Sequence, residues 1–113
     1  MSVLTLNEEI ILITLFRLGG SAHGVPIRDK IAELSGRNIV YGTLYNSLEY
    51  LIRKGFIRSV KGDPTPERGG KSKTIYSITR AGINALQNTR SLHEKLWKGL
   101  PDLEAGHSGK SKF

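Results

Sequence analysis

Apolar side chains recur at helical spacing in four stretches of this chain and cluster in two short β-branched, aromatic-rich runs. The most informative stretch is 38–55. Leu44, Leu48, Leu51 and Ile52 stand at i, i+4, i+7 and i+8, which places them on one face of a helix, and Gly55 supplies the stop expected just past its C-terminus. The opposite face carries Tyr41, Thr43, Asn46, Ser47, Tyr50 and Arg53, with no acid near the N-terminal end. Such a face donates and accepts hydrogen bonds without repelling anions, which suits a phosphate backbone and base edges. A merely solvated helix face is the plainer alternative.

Upstream, Thr5-Leu6-Asn7-Glu8 has the form of a capping box and predicts a helix over about 6–18. That helix is apolar nearly all round, through Leu6, Ile10, Ile11, Leu12, Ile13, Leu15, Phe16 and Leu18. In so small a protein this predicts cover by its own domain on one side and by a second chain on the other. Residues 19–24 read as a glycine-rich turn. Pro26 fits the first turn of a second helix with Ile27, Ile31 and Leu34 as its buried stripe, ended by Gly36. Three helices with short connections, the last polar on its outer face, form a helix-turn-helix pattern.

After Gly55 the pattern changes. Runs 56–61 and 74–79 read as two strands of a hairpin. The intervening 62–73 is too long for a tight turn and is rich in Pro, Gly and cations. Arg68, Lys71 and Lys73, with Arg58 and Lys61 on the entering strand, are placed as a wing touching DNA phosphates would place them, and Gly69 and Gly70 permit close approach. A solvated loop is the alternative. A last helix is expected from about 80 to 98, with Ala85, Leu92 and Leu96 on one stripe and Ile83, Leu86 and Trp97 beside it. A helix of ~20 residues reaches ~30 Å, so part of it overhangs a compact domain and calls for a second copy in a two-fold dimer. From Gly99 the chain turns polar and glycine-rich, and a disordered basic tail is expected from Gly106 to Phe113.

Composition narrows the chemistry. With 113 residues, 38% hydrophobic and 24% charged, one soluble domain with a modest core is expected. No apolar run is long enough to span a bilayer and no secretory leader pattern opens the chain, so a cytoplasmic protein without a membrane partner is expected. Zero cysteines removes disulfides and thiolate chemistry, and His23, His93 and His107 match no ligand spacing, so neither a metal nor another cofactor is expected. No Ser-His-Asp set, close carboxylate pair or phosphate loop between a strand and a helix stands out, which argues against an enzyme. Lys and Arg outnumber Asp and Glu 17 to 10, a net +7 that makes a polyanionic partner plausible.

The run Tyr41-Gly42-Thr43-Leu44-Tyr45 followed by Leu48, Leu51 and Gly55, the wing motif Gly62-Asp63-Pro64-Thr65-Pro66-Glu67-Arg68-Gly69-Gly70-Lys71 and the segment Tyr76-Ser77-Ile78-Thr79-Arg80-Ala81-Gly82 resemble the PadR-like family of winged-helix transcriptional regulators. Leu15-Phe16-Arg17-Leu18-Gly19-Gly20-Ser21-Ala22-His23-Gly24 is similar to that family as well, and the likeness covers roughly residues 8 to 90. The resemblance implies a homodimeric repressor of an inverted-repeat promoter site, with the third helix in the major groove and the wing on the flanking backbone. It also implies an aromatic, often phenolic, ligand near the dimer interface. Carried over by position, it assigns Tyr41, Gly42, Thr43, Asn46 and Ser47 to the DNA-facing end of the recognition helix. Arg68, Lys71 and Lys73 become wing contacts, with Gly69 and Gly70 allowing their approach, while Tyr45 and Leu48 pack. The chain departs from longer members in having one C-terminal helix and a tail.

The expected fold is therefore mainly α with a small β-hairpin: a winged helix-turn-helix over 1–80, a C-terminal dimerisation helix over 81–99 and a tail over 100–113. The expected function is a dimeric transcriptional regulator that binds double-stranded DNA. The rival readings are a winged-helix module for an acidic protein partner and a sensor of an aromatic small molecule. Trp97 serves the last reading if two copies form an aromatic slot, and otherwise fills the interface.

Overall fold

Thr5 starts the first helix as the capping-box pattern predicts, its hydroxyl accepting from the Glu8 amide (3.2 Å) while the Glu8 carboxylate accepts from the Thr5 amide (2.9 Å). The computed structural model describes residues 4–62 and 73–103. In chain order its elements are α1 (Leu6–Arg17), β1 (Ser21–Ala22), α2 (Gly24–Ser35), α3 (Tyr41–Arg53), β2 (Ile57–Lys61), β3 (Thr74–Ile78) and α4 (Arg80–Trp97). This is a winged helix: a helical layer with a small antiparallel sheet of order β1-β3-β2.

The core is drawn from every element except the two-residue β1, whose Ala22 packs against it half-buried. Ile11, Leu12 and Leu15 of α1 meet Ile27 and Ile31 of α2 and Leu44, Leu48 and Leu51 of α3, while Ile57, Tyr76 and Ala85 close it from β2, β3 and α4. Each such aliphatic side chain contributes about 1.5–3 kcal/mol on burial. Gly36 and Gly55 end α2 and α3 with φ of 71° and 80°, the left-handed backbone that makes glycine the favoured residue there.

Two sequence expectations need correction. Residues 19–24 are more than a turn, since Ser21 and Ala22 form a strand that pairs with Ser77 and Tyr76 and adds a third strand to the hairpin. Leu34, expected in the buried stripe of α2, is 42% exposed, because it lies in the final turn of a helix that stops at Gly36.

The last helix is locked to the sheet by local chemistry. The Thr79 hydroxyl accepts from the Gly82 amide (3.1 Å) and donates to the Gly55 carbonyl (2.6 Å), tying the start of α4 to the end of α3. Gly82 is there because a side chain is not tolerated: a Cβ at this position would run into the Phe56 carbonyl oxygen and crowd Ile78. Alanine gains at most ~1 kcal/mol of helix propensity over glycine, whereas overpacking against fixed backbone costs about 1–3 kcal/mol. Gly82→Ala is therefore expected to lower the midpoint of urea unfolding, and an unchanged or raised midpoint would show that α4 shifts away from the Phe56 carbonyl at no cost.

Candidate nucleic-acid interface

The outer face of α3 is built by the same stripe that buries its inner face. With Leu44, Leu48 and Leu51 in the core, Tyr41, Gly42, Thr43 and Asn46 are left exposed on the far side of the N-terminal two turns. Ser47 differs from expectation. It is half-buried and lines a cleft of about 260 Å³ with Asn7, Arg37, Asn38 and Thr43, between the start of α1, the α2–α3 loop and α3. The first turn of α3 holds no acid, so the positive end of the helix dipole is left unneutralised on this face.

That turn is held in an unusual way. Its N-cap is Val40, which has no side chain able to cap. Arg28 of α2 has no acceptor and so cannot replace the cap, but it anchors the residues on either side of Val40: its Nε donates to the Ile39 carbonyl (2.7 Å), and its guanidinium lies over the Tyr41 ring, 4.6 Å from the centroid. The Tyr41 ring stacks on Tyr45 (centroids 6.0 Å apart, 21° between planes), and Tyr45 meets Tyr76 of β3 (6.5 Å, 43°). Tyr45, expected to pack, does so with its ring while remaining 41% exposed at the surface. Burial, then the neighbouring Tyr45 and Glu49, push the Tyr76 phenol above its ordinary value of 10.0, so it stays a neutral hydroxyl at physiological pH.

Sequence reasoning missed Arg28 and the role of Tyr76. Neither sits on the polar face of α3, and their contacts cross 11 and more residues of chain, so nothing in local periodicity marks them.

The hairpin stands beside this face. Arg58 and Lys61 are exposed on β2, and Lys73 is exposed where β3 begins, its carbonyl accepting from the Gly62 amide to close the hairpin base (2.6 Å). The expected wing residues Arg68, Gly69, Gly70 and Lys71 lie outside the described residues.

A second feature occupies the other side of the molecule. Ile13 and Phe16 of α1 and Ile83 and Leu86 of α4 line an apolar groove of about 550 Å³, rimmed by Glu9, Arg90 and His93. His93 and Glu9 meet across its edge at 3.1 Å. Trp97 is not among the groove's lining residues; it is 58% exposed at the last position of α4, and Leu96, Leu100 and Leu103 in the same stretch of chain are exposed as well. Among the described residues no group of three His, Asp or Glu side chains is gathered to hold a metal ion, and no helix is long and apolar enough to cross a membrane.

A model of the PadR-like family of transcriptional regulators matches residues 11–88, which takes in α1 from Ile11 onward, α2, α3, the hairpin and the first half of α4. The chain belongs to the PadR-like family. Solved structures agree on the fold of this PadR-like chain. It is 19% identical to a winged-helix DNA-binding protein from STIV, covering 87% of this chain and 98% of that one with a TM-score of 0.68. A PadR-family transcriptional regulator from Eggerthella lenta is 22% identical, with 83% and 80% covered and a TM-score of 0.66. A transcriptional regulator from Clostridium thermocellum is 26% identical, with 84% and 92% covered and a TM-score of 0.64. No match was found among curated proteins.

Proposed function

We propose that this PadR-like chain is a homodimeric, sequence-specific DNA-binding repressor that acts on an inverted-repeat operator. The observation that carries the reading is the exposed, acid-free N-terminal face of α3, set beside a basic hairpin. Arg58, Lys61, Lys73 and the wing cations Arg68 and Lys71 neutralise phosphates and set register. Tyr41, Thr43 and Asn46 read bases, with Gly42 allowing the helix end to come close and Ser47 supporting from the cleft. Gly69 and Gly70 do the same for the wing. A two-fold dimer places the half-sites about 34 Å apart.

The dimer is supported by apolar surface that one copy leaves uncovered: Ile13 and Phe16 on α1, and Leu96 and Trp97 at the end of α4. A two-fold contact presents the same faces to each other and buries both. An aromatic effector would enter between the two copies of Trp97 at the dimer interface, and candidate aromatics titrated against Trp97 emission test for it.

Fluorescence anisotropy of labelled duplexes decides the reading. A duplex from upstream of the protein's own gene should outcompete a scrambled duplex, and the preference should persist at near-physiological salt. Equal binding that is lost from both as salt rises would leave only a general polyanion patch and favour an acidic protein partner. Within this scheme Lys73→Ala and Lys71→Ala should each weaken all duplexes alike and reduce the slope of log affinity against log salt by about 1. Asn46→Ala should cost about 1–3 kcal/mol on the preferred duplex and little on the scrambled one. Equal losses on both duplexes for all three variants would remove the division between phosphate and base contacts.

A further inference from the structure

We infer that Arg28 is a positioning residue for sequence discrimination: through its bond to the Ile39 carbonyl and its stack on Tyr41, it fixes the first turn of α3 against β3 and so sets the recognition helix relative to the wing. The inference deepens the DNA-binding reading above and rests on it.

Four observations carry it. The α3 N-terminus lacks a side-chain cap, so its orientation must come from elsewhere. Arg28 holds it at two adjacent points, the Ile39 carbonyl at 2.7 Å and the Tyr41 ring at 4.6 Å, one in the loop and one in the first helical residue. From Tyr41 the contact runs through Tyr45 to Tyr76, which is buried in β3 two residues after the strand begins at Thr74. Finally, Gly24 of α2 leaves room for the Tyr45 ring where it stands: a Cβ there would lie 2.5 Å from the Tyr45 hydroxyl and would push the ring out of its place in the stack. The series Arg28–Tyr41–Tyr45–Tyr76 thus joins α2, α3 and β3 on the side that faces nucleic acid in the proposed complex. Base contacts demand placement to a fraction of an ångström, so a tilt of this turn should degrade discrimination before it degrades charge-driven binding.

Arg28 could instead be one more cation for a phosphate, and the two roles predict different behaviour for lysine. An ammonium replaces a point charge but has neither the Nε–H at that place nor a planar group to lie on Tyr41. The test compares wild type, Arg28→Lys and Arg28→Ala by amide hydrogen exchange of Leu44–Ser47 in the free protein. It also compares their anisotropy on a duplex that wild type selects from a random-sequence pool and on a scrambled duplex, across a salt series. Urea unfolding monitors the fold, and Arg28→Lys keeps the charge and most of the stem should Arg28→Ala prove too unstable. The expected result is faster exchange in Leu44–Ser47 for both variants and a roughly 10- to 100-fold fall in the selected-to-scrambled ratio, with the salt slope unchanged. Lysine that restores full discrimination, together with alanine that lowers the salt slope by about 1 on both duplexes, would make Arg28 a phosphate contact and overturn the inference. Unchanged exchange and unchanged ratio in both variants would overturn it as well. If wild type selects no sequence from the pool, it is the DNA-binding reading that fails, and the exchange comparison alone then decides whether Arg28 holds the turn.

Discussion

Phe16→Glu is expected to yield a folded monomer that no longer holds an operator. Phe16 is 56% exposed on α1, so the fold of one copy does not depend on it, and the substitution costs the helix end only a few tenths of a kcal/mol in dipole terms. In the proposed dimer the same side chain lies in the groove that a second copy covers, and a carboxylate desolvated among Ile13, Ile83 and Leu86 there loses more hydration than Arg17 and Arg90 at the rim return, which weakens association. The consequence for DNA is larger than the local change. Two half-sites bound by one dimer gain ~10²–10⁴ in affinity over either alone, and a monomer forfeits that gain. Sedimentation should show a single-chain species, operator affinity should fall by about 10²–10⁴, and binding to a scrambled duplex should change much less. Trp97 offers an internal check, since its emission should shift to the red if the partner chain covers it only in the dimer. A variant that still sediments as a dimer would move the interface away from α1 and α4.

What could be read in advance follows how local each determinant is. The start of α1 was legible because Thr5 and Glu8 cap each other within one turn. The α3 stripe was legible because Leu44, Leu48 and Leu51 sit on one face whatever the rest of the chain does. Strand β1 was not, since two residues carry no alternation, and their pairing is decided by Ser77 and Tyr76 more than 50 residues later. Leu34 obeys helical spacing yet lacks a neighbour at the end of α2, a fact of packing that periodicity cannot supply.

The same rule divides the candidate site. The polar face opposite the α3 stripe follows from helix geometry alone. The support beneath it does not: Arg28 belongs to another helix and Tyr76 to the sheet, and only the folded chain stacks them on Tyr41 and Tyr45. Glu8 shows both levels in one residue. Its capping role is visible four residues into the motif, while its ion pair with Lys54 spans 46 residues and emerges only from the packing of α1 against α3.

That pair yields the second large effect, a loss of stability in Lys54→Met of about 2–4 kcal/mol at neutral pH. Lys54 Nζ lies 2.7 Å from Glu8 Oε2, and the Glu8 side chain is 5% exposed while that of Lys54 is 33% exposed. Removing one partner of a buried pair costs about 3–5 kcal/mol, and the partial exposure of Lys54 screens part of that here. Methionine keeps an unbranched stem but takes the ammonium away from Glu8 and from the Tyr50 and Phe56 rings, whose centroids lie 4.8 and 5.9 Å from it, so the loss reports all contacts of the missing ammonium and the double variant below separates the share that belongs to Glu8. The sign of the pH dependence follows from the forces on Glu8. Burial is the largest single influence and raises its pKa, but the hydrogen bond from Lys54, the Thr5 amide and the Lys54 charge together hold the carboxyl below its ordinary value of 4.5. A depressed carboxyl contributes stability that is present above 4.5 and is lost as pH falls through the lower folded-state value. In Lys54→Met burial acts with less opposition and the carboxyl shifts upward. The deficit against wild type should therefore be greatest near neutrality and shrink as the carboxyl protonates in both proteins. Urea unfolding at neutral pH and near pH 4 measures this, and the double variant Glu8→Gln with Lys54→Met should recover most of the neutral-pH loss because no charge is left buried. A deficit that grows on acidification, or a double variant no better than Lys54→Met, would mean that the ammonium acts on something other than Glu8.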